Sequence, residues 1–500
     1  MGYVLSMIAV KINISQFEYD IHSLVQAFYP GKDVVVSAGD FTEPFELMID
    51  VSFGEDGIRA KVIEDGQEKT SLQLPLGDDR QRSAVRNVVK TLLYRMLSSY
   101  TGKELPWGDL TGIRPTKIPM DLLEQGWDNV RIARHMREKY FVSPSRSALA
   151  ITIANREKAL LESVDYKNGY SLYVGIPFCP SICLYCSFSS SPLALYKDRV
   201  DDYLDALIKE IEECAHVMDP LTLDTVYMGG GTPTTLTPPQ MDRLLCELEK
   251  NFPIGRALEF TVEAGRPDTI NRGILEVLRA HGIGRISINP QTMNQETLDL
   301  IGRRHTVEQI EEAYFLAREM GFDDINMDLI VGLPREGPDE VAVTMERLAA
   351  LKPDNITVHS LALKRAARLS LMKDLYQDIS FVNSEQIMEM TMRSCEENGL
   401  YPYYMYRQKN MAGNFENVGY AAPGKEGLYN VLIMEEVQNI LALGAGASTK
   451  VLGPNGRIDR IENVKDISNY IDRIDEMIMR KQRIPEMLYR EAEDGGEKNG

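Results

Sequence analysis

The sequence predicts an α/β protein whose centre is a partial (β/α)6 barrel, with an N-terminal α+β domain before it and a mixed C-terminal region after it. Three observations support this prediction. Short β-rich runs alternate with long amphipathic helical runs over residues 166–365. Short alternating runs and then a helical stretch fill residues 1–165, whereas residues 366–500 mix helical, aromatic and glycine-rich segments before a flexible acidic tail. A chain of 500 residues has room for about three domains.

The composition indicates a folded chain and argues against several classes of function. Apolar residues make up 44% and charged residues 26%, which are ordinary values for a globular protein. A net charge of −19 argues against general binding of nucleic acid or anionic membranes. The chain has no long apolar run, so we expect no membrane span. Six cysteines are too few for a disulfide framework. We therefore expect a cytoplasmic protein, acting as a monomer.

The amino-terminal segment begins with alternating runs that predict strands, among them LMIDVSF (47–53) and IRAKVIED (58–65). A helical stretch follows over residues 82–102. The motif WGDLTGIRPTK (107–117) predicts a structured loop that leads into a helix, and a further helical pattern spans residues 129–164. No catalytic cluster stands out here, so the role of this segment stays open.

The central segment contains six short β-rich runs, separated by helical runs such as 199–218, 267–282 and 307–321. Strand–helix units in series produce parallel strands with right-handed crossovers. Ligand sites then fall at the carboxyl ends of the strands. The predicted strands are SLYVGI (171–176), DTVYM (224–228), LEFTVEA (258–264), RISIN (285–289), INMDLIV (325–331) and NITVHSL (355–361).

Three cysteines follow the first of these strands, Cys179, Cys183 and Cys186, at the spacing C-x3-C-x2-C. Structural zinc usually takes four protein ligands, and this loop contains no histidine. Thiolates suit iron–sulfur clusters, and three of them on a four-iron cluster leave one iron open to a non-protein ligand. The motif therefore predicts a 4Fe-4S cluster. A zinc site completed by a distant residue is the alternative.

The cysteine loop and the strand–helix series together resemble the radical S-adenosylmethionine (AdoMet) enzymes. More narrowly, YVGIPFC (173–179) resembles the opening motif of the oxygen-independent coproporphyrinogen III oxidase family. The amino-terminal region, with GIRPTK (112–117), is similar to the HemZ-type branch of that family. The resemblance implies a radical-AdoMet barrel, a 4Fe-4S cluster on the three cysteines, and one or two AdoMet molecules in each active site.

The resemblance also implies roles for individual residues, each of which would otherwise be interpreted as a core or surface residue. A glycine-rich loop lets backbone groups approach a ligand closely, and a carboxylate at a strand end can hold an ammonium group. The residues implied around the first AdoMet are Tyr173, Tyr185, Gly230, Gly231, Thr232 and Glu263. Those implied around a second AdoMet are Gln291, Arg303, Asp328 and Ala362. Catalytic roles are implied for Tyr173, Gln291, Arg303 and Asp328.

The resemblance implies a reaction as well. Reductive cleavage of AdoMet gives a 5′-deoxyadenosyl radical, and one such radical removes hydrogen from each of two propionate side chains of coproporphyrinogen III. Loss of CO2 and an electron from each then yields protoporphyrinogen IX. A reductant such as flavodoxin or ferredoxin is implied. A tetrapyrrole with four carboxylates needs local cations on so acidic a chain. The candidate cations are Lys364, Arg365, Arg368, Arg407 and Lys409.

Three positions depart from the family patterns. Phe188 replaces a fourth cysteine of the HemN type, and Gly175 replaces the histidine of the opening motif. LYNVLI (428–433) stands where haem-delivery relatives carry HNxxYW. Two alternatives stay open, namely a haem-binding or haem-delivery protein on the same scaffold and a radical AdoMet enzyme acting on haem.

Four histidines are not grouped at metal-ligand spacing, so we expect them to be core or surface packing residues: His216, His281, His305 and His359.

Overall fold

The computed structural model divides the chain into two compact units. One comprises Met1–Ala154 with Arg407–Phe415, and the other comprises Asn155–Tyr406 with Glu416–Gly500. The predicted three-part division of the chain stays a prediction. The residues described are 7–112, 114–187, 190–362, 383–408, 415–453 and 457–488. Several residues discussed above lie outside them, as does the acidic tail: Phe188, Lys364, Arg365, Arg368 and Lys409.

The first unit is built on a five-stranded sheet with two helices packed against it. The sheet contains β1 (Met7–Ile12), β2 (Asp33–Ser37), β3 (Leu47–Phe53), β4 (Gly57–Glu64) and β5 (Gln67–Pro75), in the order β2-β1-β3-β4-β5. Strand β3 alternates buried and more exposed residues, as expected when one face of a sheet is covered. Its buried face joins a core with α1 and α2. The helices of this part of the chain are α1 (Glu18–Phe28), α2 (Arg82–Thr101), α3 (Lys117–Glu124), α4 (Asn129–Tyr140) and α5 (Pro144–Glu162), the last of which crosses the division between the units.

The second unit contains a large mixed sheet and a small two-stranded one. Its first seven strands are β6 (Gly169–Ile176), β7 (Phe178–Cys179), β8 (Ser191–Pro192), β9 (Thr222–Gly230), β10 (Glu259–Glu263), β11 (Arg285–Ser287) and β12 (Asp324–Val331). The others are β13 (Asn355–Ser360), β14 (Tyr401–Tyr406), β15 (Asn417–Ala421), β16 (Asn439–Leu443), β17 (Ser448–Leu452) and β18 (Ile458–Glu462). Within the described residues, the large sheet has the order β14-β15-β13-β12-β11-β10-β9-β6-β16-β17-β18, and β7 pairs with β8.

Seven strands of the large sheet run parallel, in the order β16-β6-β9-β10-β11-β12-β13. Six of them are the predicted strands, so the prediction of six strand–helix units is confirmed. The seventh, β16, has the sequence NILAL and leads into the glycine-rich segment GAGAS (444–448). Antiparallel strands extend both edges, and the sheet stays open, as expected of a partial barrel. Because parallel strands share one carboxyl edge, the loops after β6, β9, β10 and β12 lie on the same side.

Helices of the second unit connect and cover these strands. They are α6 (Leu193–Tyr196), α7 (Val200–Glu213), α8 (Pro238–Asn251), α9 (Arg272–Ala280), α10 (Gln295–Leu300) and α11 (Val307–Glu319). The remaining helices are α12 (Pro338–Leu351), α13 (Glu385–Glu397), α14 (Leu428–Glu435), α15 (Ile467–Asp472), α16 (Ile474–Lys481) and α17 (Ile484–Leu488). Among the helices described here, none has the combined length and apolar character that crossing a membrane requires.

A buried polar cluster fastens the last helices to the glycine turn after β16. Glu210 on α7 accepts hydrogen bonds from the Lys481 ammonium at 2.8 Å and the Tyr470 hydroxyl at 2.7 Å. The same carboxylate accepts the backbone N–H of Gly444 at 2.8 Å. Asn463 donates to Glu210 and to the Gly444 carbonyl, each at 2.8 Å. Burial of these charges is tolerated because every donor in the cluster has a partner.

Candidate functional site

The cysteine loop begins where β6 ends and is anchored at both sides. Cys179 closes β7, Cys183 is buried, and Cys186 is half-buried; all three are free thiols. The backbone N–H of Leu184 donates to the Ile301 carbonyl at 3.0 Å. The loop is therefore tied to the turn after α10, which holds the cysteines at the carboxyl edge of the sheet.

The chemistry of the three cysteines fits an iron–sulfur cluster better than a single metal ion. Among the described residues, one set of His, Cys, Asp and Glu ligand atoms converges within 4.8 Å, and it does not include these sulfurs. A single zinc ion needs convergent ligands, whereas each thiolate of a four-iron cluster binds a different iron. Burial raises the pKa of the Cys179 thiol, although its Sγ lies 3.5 Å from the Thr232 hydroxyl. A bound cationic cluster core would offset that cost of forming a thiolate.

The convergent set lies elsewhere and contains Asp242, Cys246 and His281. The imidazole of His281 is hydrogen-bonded to Glu249 through Nδ1 at 2.8 Å and to Asp242 through Nε2 at 3.1 Å. The ring therefore has partners on both nitrogens, which accounts for its position by packing and hydrogen bonding.

The glycine-rich loop after β9 packs directly against the start of the cysteine loop. The backbone N–H groups of Gly231 and Thr232 donate to the carbonyls of Ile176 and Phe178, each at 2.7 Å. A Cβ on Gly231 would lie 2.5 Å from the Phe178 carbonyl oxygen, which is too close for any side chain. Gly230 has a φ of +111°, in a region that favours glycine. These glycines are needed for a close approach of two backbones.

Glu263 ends β10 and faces this loop. It accepts a hydrogen bond from the Tyr227 hydroxyl at 2.6 Å and a further one from the Gly230 backbone N–H. Burial nevertheless raises the pKa of Glu263 to about 7, and the neighbouring Asp328 carboxylate adds to the rise. A cationic ligand group at this position, such as an ammonium, would stabilise the charged form of the Glu263 carboxylate.

Aromatic rings line the same side of the sheet. Tyr173 stacks on Tyr227 with ring centroids 6.3 Å apart, and Tyr227 stacks on Tyr429 at 4.5 Å. Tyr173 was predicted from the sequence as a site residue, whereas Tyr227 and Tyr429 were not. Tyr227 stands in strand β9 just before the glycines, a local signal that was available. Tyr429 lies in LYNVLI, far along the chain, and only the fold brings it here.

Gln291 follows β11 in an unusual conformation. Its φ is +66°, which is uncommon for a residue with a side chain. Its backbone N–H donates to the Asp328 carbonyl at 2.9 Å, and its own carbonyl accepts from Ile330 at 2.9 Å. The side chain is buried, and its Oε1 has no hydrogen-bond partner among the described residues. Backbone strain and a buried amide oxygen without a partner are both typical of a residue held for a ligand.

Asp328, on β12, lies in a hydrogen-bonded group next to Gln291. It accepts from Asn326 Nδ2 at 2.8 Å, and His359 Nε2 lies 3.8 Å from it. Burial opposes the charged form, but hydrogen bonds from His359, Asn326 and Thr357 together hold the pKa of Asp328 below its usual value. Asp328 therefore stays a carboxylate. Half-buried Ala362 lies just beyond β13, the strand that carries His359.

Arg303 lies against the cysteine loop. Its guanidinium is buried, donates to the backbone carbonyl of Asn289 and reaches the carbonyl of Gly265 at 3.4 Å. It also interacts with the Tyr185 hydroxyl and the Cys183 thiol. The structure thus brings Tyr185 and Arg303 together beside Cys183.

Asp328 lies close enough to Glu263 to raise the pKa of Glu263. This proximity connects the part of the sheet edge around Gln291 with the glycine-rich loop after β9.

Arg407, a candidate for binding substrate carboxylates, has other partners. It belongs to the first unit, where its guanidinium donates to the Leu110 carbonyl at 2.7 Å. Its guanidinium carbon lies 5.9 Å from the centre of the Trp107 ring. In the first unit this guanidinium therefore has a carbonyl and an aromatic face among its partners, and its role in binding a substrate carboxylate stays a prediction.

Comparisons with known proteins found a family model, curated relatives and a solved structure that resemble this chain. The family model described as the Radical SAM superfamily matches residues 173–348. The "Oxygen-independent coproporphyrinogen-III oxidase-like protein HemZ" of Bacillus subtilis (strain 168) is 39% identical over 410 residues, covering 81% of this chain and 82% of the relative. The "Heme chaperone HemW" of Lactococcus lactis subsp. lactis (strain IL1403) is 29% identical over 328 residues, covering 64% of this chain and 80% of that relative. A solved structure of coproporphyrinogen III oxidase (HemN) from Escherichia coli has a TM-score of 0.50 and 28% identity, covering 64% of this chain and 73% of that one.

Proposed function

Because the chain belongs to the radical SAM superfamily and, within it, to the HemZ-type oxygen-independent coproporphyrinogen-III oxidase-like family, we propose that it converts coproporphyrinogen III to protoporphyrinogen IX by oxidative decarboxylation without oxygen. The observation that carries this proposal is Gln291. A strained backbone and a buried, unpartnered side-chain oxygen, placed beside Asp328 on the sheet edge that holds the cysteine loop, favour a ligand there.

In this proposal Cys179, Cys183 and Cys186 hold a 4Fe-4S cluster at its three protein-ligated irons. When bound, the cluster and AdoMet together supply reductive cleavage of AdoMet to a 5′-deoxyadenosyl radical. The protein's part is to orient the groups and keep water away. Burial of Cys183 and the packing of the glycine loop on Phe178 serve that exclusion.

The residues around the glycine loop would hold the amino-acid part of AdoMet. Glu263 would accept a hydrogen bond from the ammonium or amine group of AdoMet. The Tyr227 hydroxyl keeps the Glu263 carboxylate oriented through its hydrogen bond at 2.6 Å. Gly230, Gly231 and Thr232 let the ligand approach the backbone, and the Tyr173 ring borders the same space. Each of these roles uses groups that already face one another in the structure.

The neighbouring residues would serve a second AdoMet. Gln291 would accept a hydrogen bond from the ligand through its Oε1, which has no partner among the described residues. The Asp328 carboxylate would accept a hydrogen bond from a hydroxyl or ammonium group of the same ligand. Arg303 would support this site through its interactions with Tyr185 and Cys183. Ala362, just beyond β13, would border the same ligand with its small side chain. The tetrapyrrole carboxylates would meet Lys364, Arg365, Arg368 and Lys409, and a flavodoxin or ferredoxin would supply electrons to a cytoplasmic monomer.

Anaerobic turnover tests the proposal. The cluster-loaded protein is mixed with reductant, AdoMet and coproporphyrinogen III, and mass spectrometry follows the mono- and di-decarboxylated tetrapyrroles. The expected result is two 5′-deoxyadenosine molecules for each protoporphyrinogen IX, with no product from Cys183→Ala. Cys246→Ala is the matched control, since that cysteine is exposed and outside the loop; it should keep full turnover.

The similarity to a haem chaperone favours one alternative, a haem-binding or haem-delivery role. Stoichiometric haem binding without 5′-deoxyadenosine release would support it and contradict the proposed oxidation. Release of 5′-deoxyadenosine with no decarboxylated product would keep the radical chemistry and direct the search to haem as substrate.

A further inference from the structure

Arg266 is a buried arginine in the loop after β10 that belongs to none of the motifs identified in the sequence. It follows β10 by three residues, and its side chain is 3% exposed. Two parallel hydrogen bonds join its guanidinium to Asp268, from Nε to Oδ1 and from Nη2 to Oδ2, each at 3.0 Å. Bidentate pairing of this kind fixes the plane of the guanidinium. The third nitrogen, Nη1, is left to point in a defined direction.

Nη1 of Arg266 points at the cysteine loop. It lies 3.2 Å from the Ser181 hydroxyl, 3.4 Å from the Ser181 carbonyl and 3.9 Å from the Cys183 sulfur. On the far side, Asp268 lies 3.7 Å from His305 Nδ1, and that histidine is fully buried. A supported side chain therefore delivers a permanent positive charge to the sulfur of one proposed cluster ligand.

The charge has a predictable effect on a bound cluster. Reduction by one electron makes a thiolate-ligated cluster more negative. A cation that donates a hydrogen bond to a ligand sulfur stabilises the more negative state more strongly, which raises the reduction potential. Asp268 partly offsets this charge, but it lies across the guanidinium from the sulfur. Arginine does not lose its proton in proteins, so its contribution is present at every pH.

We propose that Arg266 is a positioning residue that directs a guanidinium N–H at Cys183 and thereby favours the reduced state of the cluster. The inference rests on the proposed function only through the cluster, and it makes no use of the tetrapyrrole.

A redox titration of the cluster-loaded protein tests this, without AdoMet and without tetrapyrrole. Arg266→Gln keeps hydrogen-bond donors but removes the charge, and Arg266→Lys keeps the charge but loses the two-pronged pairing. EPR of the reduced cluster gives the midpoint potential, and iron and sulfide content gives the loading. At the wild-type midpoint, Arg266→Gln should show an about tenfold lower ratio of reduced to oxidised cluster, equivalent to about 59 mV for one electron. Arg266→Lys should show a smaller decrease.

Arg272→Gln is the matched control, because that arginine is 52% exposed and pairs with Glu319 on the surface; its potential should equal that of the wild type. An Arg266→Gln protein that loads iron normally and keeps the wild-type potential would overturn the inference. So would loss of the cluster from both Arg266 variants in a chain with an unchanged circular dichroism spectrum, because Arg266 would then serve loop assembly alone. A wild-type chain that takes up no cluster would instead contradict the cofactor assignment, whereas a loaded chain without turnover leaves the inference standing and contradicts the proposed function.

Discussion

Replacing Lys481 with methionine should destabilise the second unit strongly, because it leaves a buried carboxylate without its cation. Lys481 and Glu210 are both fully buried, with Nζ and Oε1 2.8 Å apart. At an effective dielectric constant of about 20, this separation corresponds to a gross attraction of about 6 kcal/mol. Desolvation offsets much of that gain in the intact pair. Removing one partner keeps the desolvation of the other, so Lys481→Met should lower the free energy of unfolding by about 3–5 kcal/mol.

Urea unfolding of the cluster-free chain, followed by circular dichroism, measures this loss. Circular dichroism is preferred to fluorescence since both tryptophans, Trp107 and Trp127, lie in the first unit. Lys209→Met is the matched control. That lysine neighbours Glu210 on α7 and pairs with Asp475 at 2.6 Å, but its side chain is 48% exposed. Its loss should cost no more than about 1 kcal/mol.

A second variant separates charge from packing. Adding Glu210→Gln to Lys481→Met removes the unpaired charge and keeps acceptors for the Tyr470 hydroxyl and the Gly444 N–H. Most of the lost stability should return, because neutral replacements of a buried pair are tolerated. A cost for Lys481→Met that matches the exposed control, or a double variant no more stable than the single one, would refute the reasoning.

Three further outcomes are expected. The ionised form of Glu263 should bind a cationic ligand, and its pKa in the ligand-free protein is about 7, so AdoMet affinity should fall about tenfold for each pH unit below 7. In calorimetric titrations Glu263→Gln should bind AdoMet weakly and with less pH dependence. A Glu263→Gln variant with the pH profile of the wild type would contradict the assignment. Gly231→Ala should lose iron on reconstitution, since its Cβ would lie 2.5 Å from the Phe178 carbonyl, whereas Gly255→Ala, with open space around its Cβ, should load normally. Gln291→Gly should relieve the strain of a positive φ and keep or raise the melting temperature while turnover is lost; a clear fall in melting temperature would show that the side chain serves folding.

Prediction from the sequence succeeded where the signal was local. The C-x3-C-x2-C spacing and the alternation of β-rich and helical runs lie within short windows, so they indicated the family and the partial barrel before any contact was known, and both are confirmed. The assigned AdoMet residues stay predictions, although the structure gathers Glu263, Gln291 and Asp328 at one edge of the sheet. The resemblance implied them through motifs that are local in sequence: Glu263 ends β10, Gln291 follows β11, and Asp328 lies within β12.

The sequence by itself determined the cysteine loop, the parallel strands and the net negative charge of the chain, because these depend on spacing, periodicity and composition. Only the tertiary structure decided that β16 pairs with β6, that Arg266 points at Cys183, and that Tyr429 stacks on Tyr227. Lys481 and Glu210 are 271 residues apart, and no local pattern predicts their pairing. Such contacts arise when the whole chain minimises unpaired buried charge and exposed apolar surface together, a condition that no short window of sequence contains.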